Sequence, residues 1–219
     1  MIRKEKWNVV LTTFFTILFV LLLEAFFFRG VLAADKLFGD SGDGRLNNLL
    51  VEHWFKFFSG KEPLNDLLIY YPVGNTLSYS DMLLGFALPY SILRFFGVGM
   101  LIANKFSIIF IHAVGSFSLL YLLHNKLKLN TAISFIGVAI CAYGNSVFIK
   151  SVHTQMFAFS LVPLLIVFIY SYFEKLNKNR GKRMIYAILS IILFELLGMT
   201  INGSSINSRF IFSPQTTFE

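Results

Sequence analysis

Charge is scarce in this chain: only 14% of its 219 residues are Asp, Glu, Lys or Arg, where a soluble domain carries about a quarter. A water-soluble fold of this size is thereby excluded. Cysteine is almost absent as well. The single Cys141 lies inside an apolar run, so there is no disulfide framework, no CxxC metal pair and no redox couple. A concentrated basic patch is also missing. Net charge is +7, but the basic residues gather at the ends of apolar runs, which is how topology signals are distributed and not how a nucleic-acid surface is built.

What the chain has is apolar bulk. Hydrophobic residues make up 56% of it, with 26 phenylalanines that include Phe26-Phe27-Phe28, Phe57-Phe58 and Phe95-Phe96. In water such clusters would drive aggregation, whereas a bilayer accepts them. Trp7 to Phe28 is apolar apart from Glu24 and long enough, at about 1.5 Å per residue, to cross roughly 30 Å of hydrocarbon. Val31-Leu32-Ala33 also fits a signal-peptide cleavage site, but the apolar core exceeds the usual ~7 to 15 residues, so a retained helix is expected. Met100 to Leu123, Thr131 to Phe148, Phe157 to Phe173 and Met184 to Ile201 are the other expected spans.

Glu174 to Arg183 holds five basic residues, Lys175, Lys178, Arg180, Lys182 and Arg183, which marks it as cytoplasmic. Counting back, residues 149–155 fall outside, 124–130 inside, and Met100 outside. A cytoplasmic N-terminus then requires that Met82 to Val98 not complete a crossing. Its Pro89, Arg94 and short length suit a segment that dips into the outer leaflet. The expected fold is therefore all-α: a polytopic transmembrane bundle of five spans within residues 1–201, with interfacial and re-entrant helices in a large external loop at about 29–99. A polar tail follows at 202–219.

Seven of the twelve acidic residues lie in that loop: Asp35, Asp40, Asp43, Glu52, Glu62, Asp66 and Asp81. Gly39-Asp-Ser-Gly-Asp-Gly44 sets two carboxylates among three glycines. Such a cluster can supply a base or oxygen ligands for a divalent cation, the one cofactor this sequence admits, though it lacks a full EF-hand ligand set. Asp40 and Asp43 would be the metal ligands. From Arg45 to Ser59, Leu46, Leu49, Leu50, Trp54, Phe57 and Phe58 form a helical stripe with Asn47, Asn48, Glu52 and Lys56 opposite, the pattern of an interfacial amphipathic helix. His53 borders the stripe, as a ligand or as packing. Tyr70 to Asp81 is turn-rich and aromatic, suited either to a sugar ring or to the headgroup belt.

Together, Gly39-Asp-Ser-Gly-Asp-Gly-Arg45, Glu52-His-Trp54, Tyr71 to Asp81 and the external His153 resemble bacterial multi-pass glycosyltransferases of the GT-C fold, over most of the chain from Met1 to about Gly198. The resemblance implies residence in the bacterial cytoplasmic membrane. It also implies transfer of a sugar from a polyprenyl-phosphate carrier to an acceptor on the outer face, with membrane lipid and the lipid-linked sugar as partners. It puts Asp43 or Asp40 in the place of the catalytic carboxylate, and Arg45, His53, Tyr71, Asp81 and His153 at the substrate. Arg45, Arg94 and Lys105 are candidates to balance the leaving phosphate, or else snorkel to the interface.

Two departures accompany the resemblance. The second external loop offers Lys150 and His153 but no carboxylate, and the sequence turns polar from Asn202 to Glu219 without another span. The expectation drawn from the second is a truncated or frame-shifted product holding the N-terminal part. The competing readings are a small-molecule or lipid transporter, for which Glu24, His112 and Glu195 within spans speak, and a non-catalytic membrane fragment. Against the transporter, those three residues sit on different helices with no internal repeat.

Overall fold

In the computed structural model, which describes residues 2–33, 38–39, 42–67, 70–79, 81–144, 154–176 and 180–201, every regular element is helical and no strand occurs among the described residues. The helices are α1 (Ile2–Phe27), α2 (Arg29–Ala33), α3 (Asp43–Phe58), α4 (Leu84–Phe95), α5 (Met100–Tyr121), α6 (Thr131–Val138), α7 (Val162–Glu174) and α8 (Arg180–Ile201). Helix α5 runs on through a π-helical turn at Leu122–Lys126, and α6 through another at Ala139–Tyr143. A 3₁₀ segment, Thr154–Leu161, leads into α7.

Among the described residues, three stretches are long and apolar enough to cross a membrane: Met100–Lys126, Thr154–Glu174 and Arg180–Thr200. Their surfaces have the polarity expected of helices in lipid. Ile102, Phe106 and Phe110 of α5 are about half exposed, as are Ile185, Ile188 and Ile192 of α8. Each set recurs every three or four residues and so forms one outward row. The buried side of α5 instead carries Asn104, Lys105, Ser107, His112 and Ser116. Hydrocarbon imposes this arrangement, because apolar side chains lose nothing by facing it while polar ones must find partners inside.

Helix α5 is the hub, packed against α1, α3, α4, α6, α7 and the 3₁₀ segment. At Gly115 a Cβ would run into the Ser160 carbonyl oxygen; only glycine lets the two backbones cross there. Phe19 stacks near Phe135, and Phe27 near Tyr143, so α1 and α6 run in the same direction.

At one end of the bundle Lys126 Nζ donates to Glu174 at 2.6 Å, joining the α5–α6 and α7–α8 connections. At the other end α3 and α4 form a wedge. Helix α4 has 12 residues, about 18 Å of helix, which is short of a full crossing. The backbone N–H of Gly85 near its start donates to Thr200 Oγ1, at the far end of α8, at 2.9 Å.

Candidate functional site

Helix α3 carries Asp43, Arg45, Glu52 and His53 of the first loop. Its N-cap is Gly42, which offers no side-chain cap, and Asp43 is its first helical residue, where a carboxylate faces the positive end of the helix dipole. Asp43 and Arg45 are exposed. Gly44 is buried, and a Cβ on it would sit 2.7 Å from the Phe38 carbonyl oxygen. The glycine therefore serves the chain's own turn: the backbone of Phe38, and not a ligand, occupies that space.

The facing of α3 departs from the expected stripe. Asn47, Asn48, Glu52 and His53 are buried, together with Leu50, Val51 and Trp54, while Leu49 and Phe58 are exposed. The polar face of the helix is turned into the protein, where Asn48, Glu52 and His53 find partners. Glu52 is held by Arg94 of α4, whose Nε and Nη2 each donate at 3.0 Å, one to each carboxylate oxygen. Tyr90 donates its hydroxyl to the same carboxylate. Arg94 is thus committed to a bidentate pair and to the Val98 carbonyl at 2.8 Å, which removes it from the candidates for a phosphate. Asn104 of α5 donates to Asn48 at 2.9 Å, and Lys105, next along α5, is 7% exposed.

His53 lies 10 residues, or about 15 Å of helix, from Asp43. Its Nδ1 is 2.9 Å from Glu62 and its Nε2 is 2.9 Å from the Leu64 carbonyl; Lys56 donates to the same Glu62 at 2.7 Å. Burial works to raise the Glu62 pKa, but the hydrogen bonds from Lys56 and His53 outweigh it and hold the group below the ordinary carboxylate value. His53 accordingly clamps the segment after α3. Trp54 donates to the Met82 carbonyl, which brings half-buried Asp81 to the same end of α3 as His53. Tyr71 is 83% exposed. The turn that carries it is tied to Asp66, which accepts from the Asn75 backbone N–H at 2.7 Å.

The residues assigned to one substrate site therefore fall into two groups, Asp43 and Arg45 at the start of α3, and His53 and Asp81 at its far half. Asp40, Lys150, His153 and the 202–219 tail lie outside the described residues. No group of three His, Cys, Asp or Glu positioned to hold a metal occurs among the described residues. A cation site built on Asp40 and Asp43 would have Asp43 as its one described ligand.

A second cluster joins two residues that the sequence singled out separately, Glu24 and His112. Glu24 of α1, His112 of α5 and Tyr143 after α6 converge inside the bundle, exposed by 4%, 1% and 3%. His112 Nδ1 lies 2.8 Å from Glu24 Oε1, and Tyr143 donates its hydroxyl to that same oxygen at 2.8 Å. His112 Nε2 is 3.1 Å from the Ala142 carbonyl. A carbonyl only accepts, so Nε2 carries a proton, and a second proton must lie between Nδ1 and Oε1. The pair is electrically neutral whichever atom holds it, as a membrane interior requires. Phe28 and Phe157 stand against the imidazole, with ring centroids 5.5 and 6.1 Å away. A cavity of about 240 Å³ adjoins the cluster, lined by Gly115, Ser116, Cys141, Ala142, Phe159 and Ser160 among others. The pairing spans 88 residues, and no local pattern could have announced it.

These features define an all-helical chain with three helices fit to cross a membrane and a helical wedge of buried polar groups at one end. No protein-family model matches it, nor does any curated protein or solved structure.

Proposed function

We propose that the chain is an integral membrane protein of five spans, with its N-terminus in the cytoplasm. In this reading it transfers a sugar from a polyprenyl-phosphate carrier to an acceptor at the outer face of the cytoplasmic membrane. The observation that carries the reading is α3: a helix that begins on a carboxylate, Asp43, a short distance after α1, and turns a polar face toward the bundle, where Asn48 meets Asn104, the residue before buried Lys105 on α5. A site that cuts a sugar–phosphate bond at a membrane surface needs a base reachable from water and a cation held where the lipid phosphate rests.

Asp43 takes the proton of the acceptor hydroxyl. The hydroxyl oxygen bonds to the anomeric carbon, and the carbon–oxygen bond to the phosphate breaks with its electron pair leaving on the phosphate. Lys105 stabilises that charge, and exposed Arg45 is a second cation for it. The five-span count draws support from α1, helical over 26 residues, and from the parallel course of α1 and α6. Transport is a second reading with one observation in its favour, the buried Glu24–His112 pair. It makes no demand on Asp43.

The test uses membranes carrying the chain, a labelled polyprenyl-phosphate sugar, and release of polyprenyl phosphate as readout. Asp43→Asn is expected to lower the rate by about 10² to 10⁴ at an unchanged protein level, since a change at an exposed position costs within about 0.5 kcal/mol. Near-equal rates in the two proteins, or no release by the unmodified chain, would overturn the reading.

A further inference from the structure

Among the described residues, Asn47 Nδ2 is a buried side-chain donor with no hydrogen-bond partner, and the residue is only 5% exposed. A buried amide left unpaired costs roughly 1–3 kcal/mol, so its presence in a well-packed helix calls for a reason. Its neighbour on α3 shows the contrast. Asn48 has the same chemistry and nearly the same burial, yet it is satisfied by Asn104 of α5 at 2.9 Å.

Position supplies the reason. Asn47 stands four residues after Asp43, so the two share one face of α3 within about 6 Å at the level of Cβ. Asp43 is exposed and Asn47 is buried, which makes the face a descent from water into the bundle. The Asn48–Asn104 contact fixes the crossing of α3 with α5, and Asn47 and Lys105 flank that contact in sequence. The face thus carries a carboxylate at its exposed end and, one turn deeper, an amide donor without a partner. An amide N–H is a hydrogen-bond donor, and it bonds a charged oxygen more strongly than a neutral hydroxyl.

We propose that Asn47 is a ligand-binding residue whose carboxamide donates to an oxygen of the phosphate in the lipid-linked donor. The inference rests on the proposed function and names a contact that the sequence did not. The unpaired donor is a stability cost of the empty site, relieved when phosphate arrives.

The experiment measures binding of a short-chain polyprenyl phosphate, with polyprenol and inorganic phosphate as comparison ligands, to the full chain in phosphatidylcholine nanodiscs. Thermal unfolding is recorded alongside. Asn47→Leu keeps the volume and removes the donor. The expected result is a Kd for polyprenyl phosphate raised about tenfold or more, the loss expected for a hydrogen bond to a charged group. Polyprenol binding should stay unchanged, and the unfolding temperature should be equal or higher. Asn47→Asp, which sets a like charge before the phosphate, should weaken binding further.

Unchanged polyprenyl-phosphate binding in a folded Asn47→Leu protein would overturn the role of Asn47 while leaving the proposed function standing. An unmodified chain that does not prefer polyprenyl phosphate to polyprenol would overturn both. Asn47-dependent binding of inorganic phosphate alone would overturn the lipid as the phosphate's source.

Discussion

Gly44 and Glu62 show how single residues set the geometry of the α3–α4 wedge. With the Phe38 carbonyl 2.7 Å from where a Cβ would stand, Gly44→Ala must push Phe38 and the first turn of α3 apart, because the atom the Cβ meets is backbone. Asp43 moves with it. Transfer should fall at least as far as in a variant of mild charge loss such as Arg45→Gln, and a normal rate would show that the turn does not position Asp43. Glu62 is held ionised by Lys56 and His53. Its folded pKa lies below the ordinary carboxylate value, so its contribution is complete above that value and is lost as pH falls through the folded one. Acid should therefore loosen the segment after α3. Limited proteolysis at Lys61 should accelerate below about pH 4.5 in the unmodified chain and be fast at every pH in Glu62→Gln. An unmodified chain whose cleavage is indifferent to pH would contradict the clamp.

At the scale of the element, the long apolar runs were legible, because length and hydropathy alone define Met100–Lys126, Thr154–Glu174 and Arg180–Thr200 as helices fit to span. Helix α3 was legible as a helix but not in its orientation. An apolar stripe predicts the buried side only when the other side faces water. At a membrane, Leu49 and Phe58 can face outward, and Asn48 and Glu52 are drawn inward by Asn104 and Arg94. Glu24 and His112 were each noticed as polar residues in apolar runs, but their pairing depends on how α1 leans on α5, which no spacing encodes. The strength of that pairing can be measured. Removing one partner of a buried ion pair costs about 3–5 kcal/mol, whereas side-chain hydrogen bonds within membranes average only about 0.6 kcal/mol. Glu24→Gln is expected to destabilise the folded chain by about 3 kcal/mol. In a cycle with His112→Gln the coupling should exceed about 2 kcal/mol. A coupling near 0.6 kcal/mol would reduce the cluster to an ordinary hydrogen bond.

For the whole molecule, the account depends on the two ends of the bundle facing opposite sides of a membrane. Lys126 with Glu174 marks one end, and the α3–α4 wedge with Gly85 on Thr200 marks the other. In the proposed topology the basic run 175–183 puts the first end in the cytoplasm, and a lipid-linked sugar would then reach Asp43 from outside. Sidedness tests this most directly. In a Cys141→Ala background, Lys61→Cys, in the turn after α3, should react with a membrane-impermeant thiol reagent on intact cells. Asn125→Cys, exposed at the end of α5, should react only after permeabilisation. Labelling of Asn125→Cys on intact cells, or protection of Lys61→Cys there, would contradict the placement of the wedge and the function built on it.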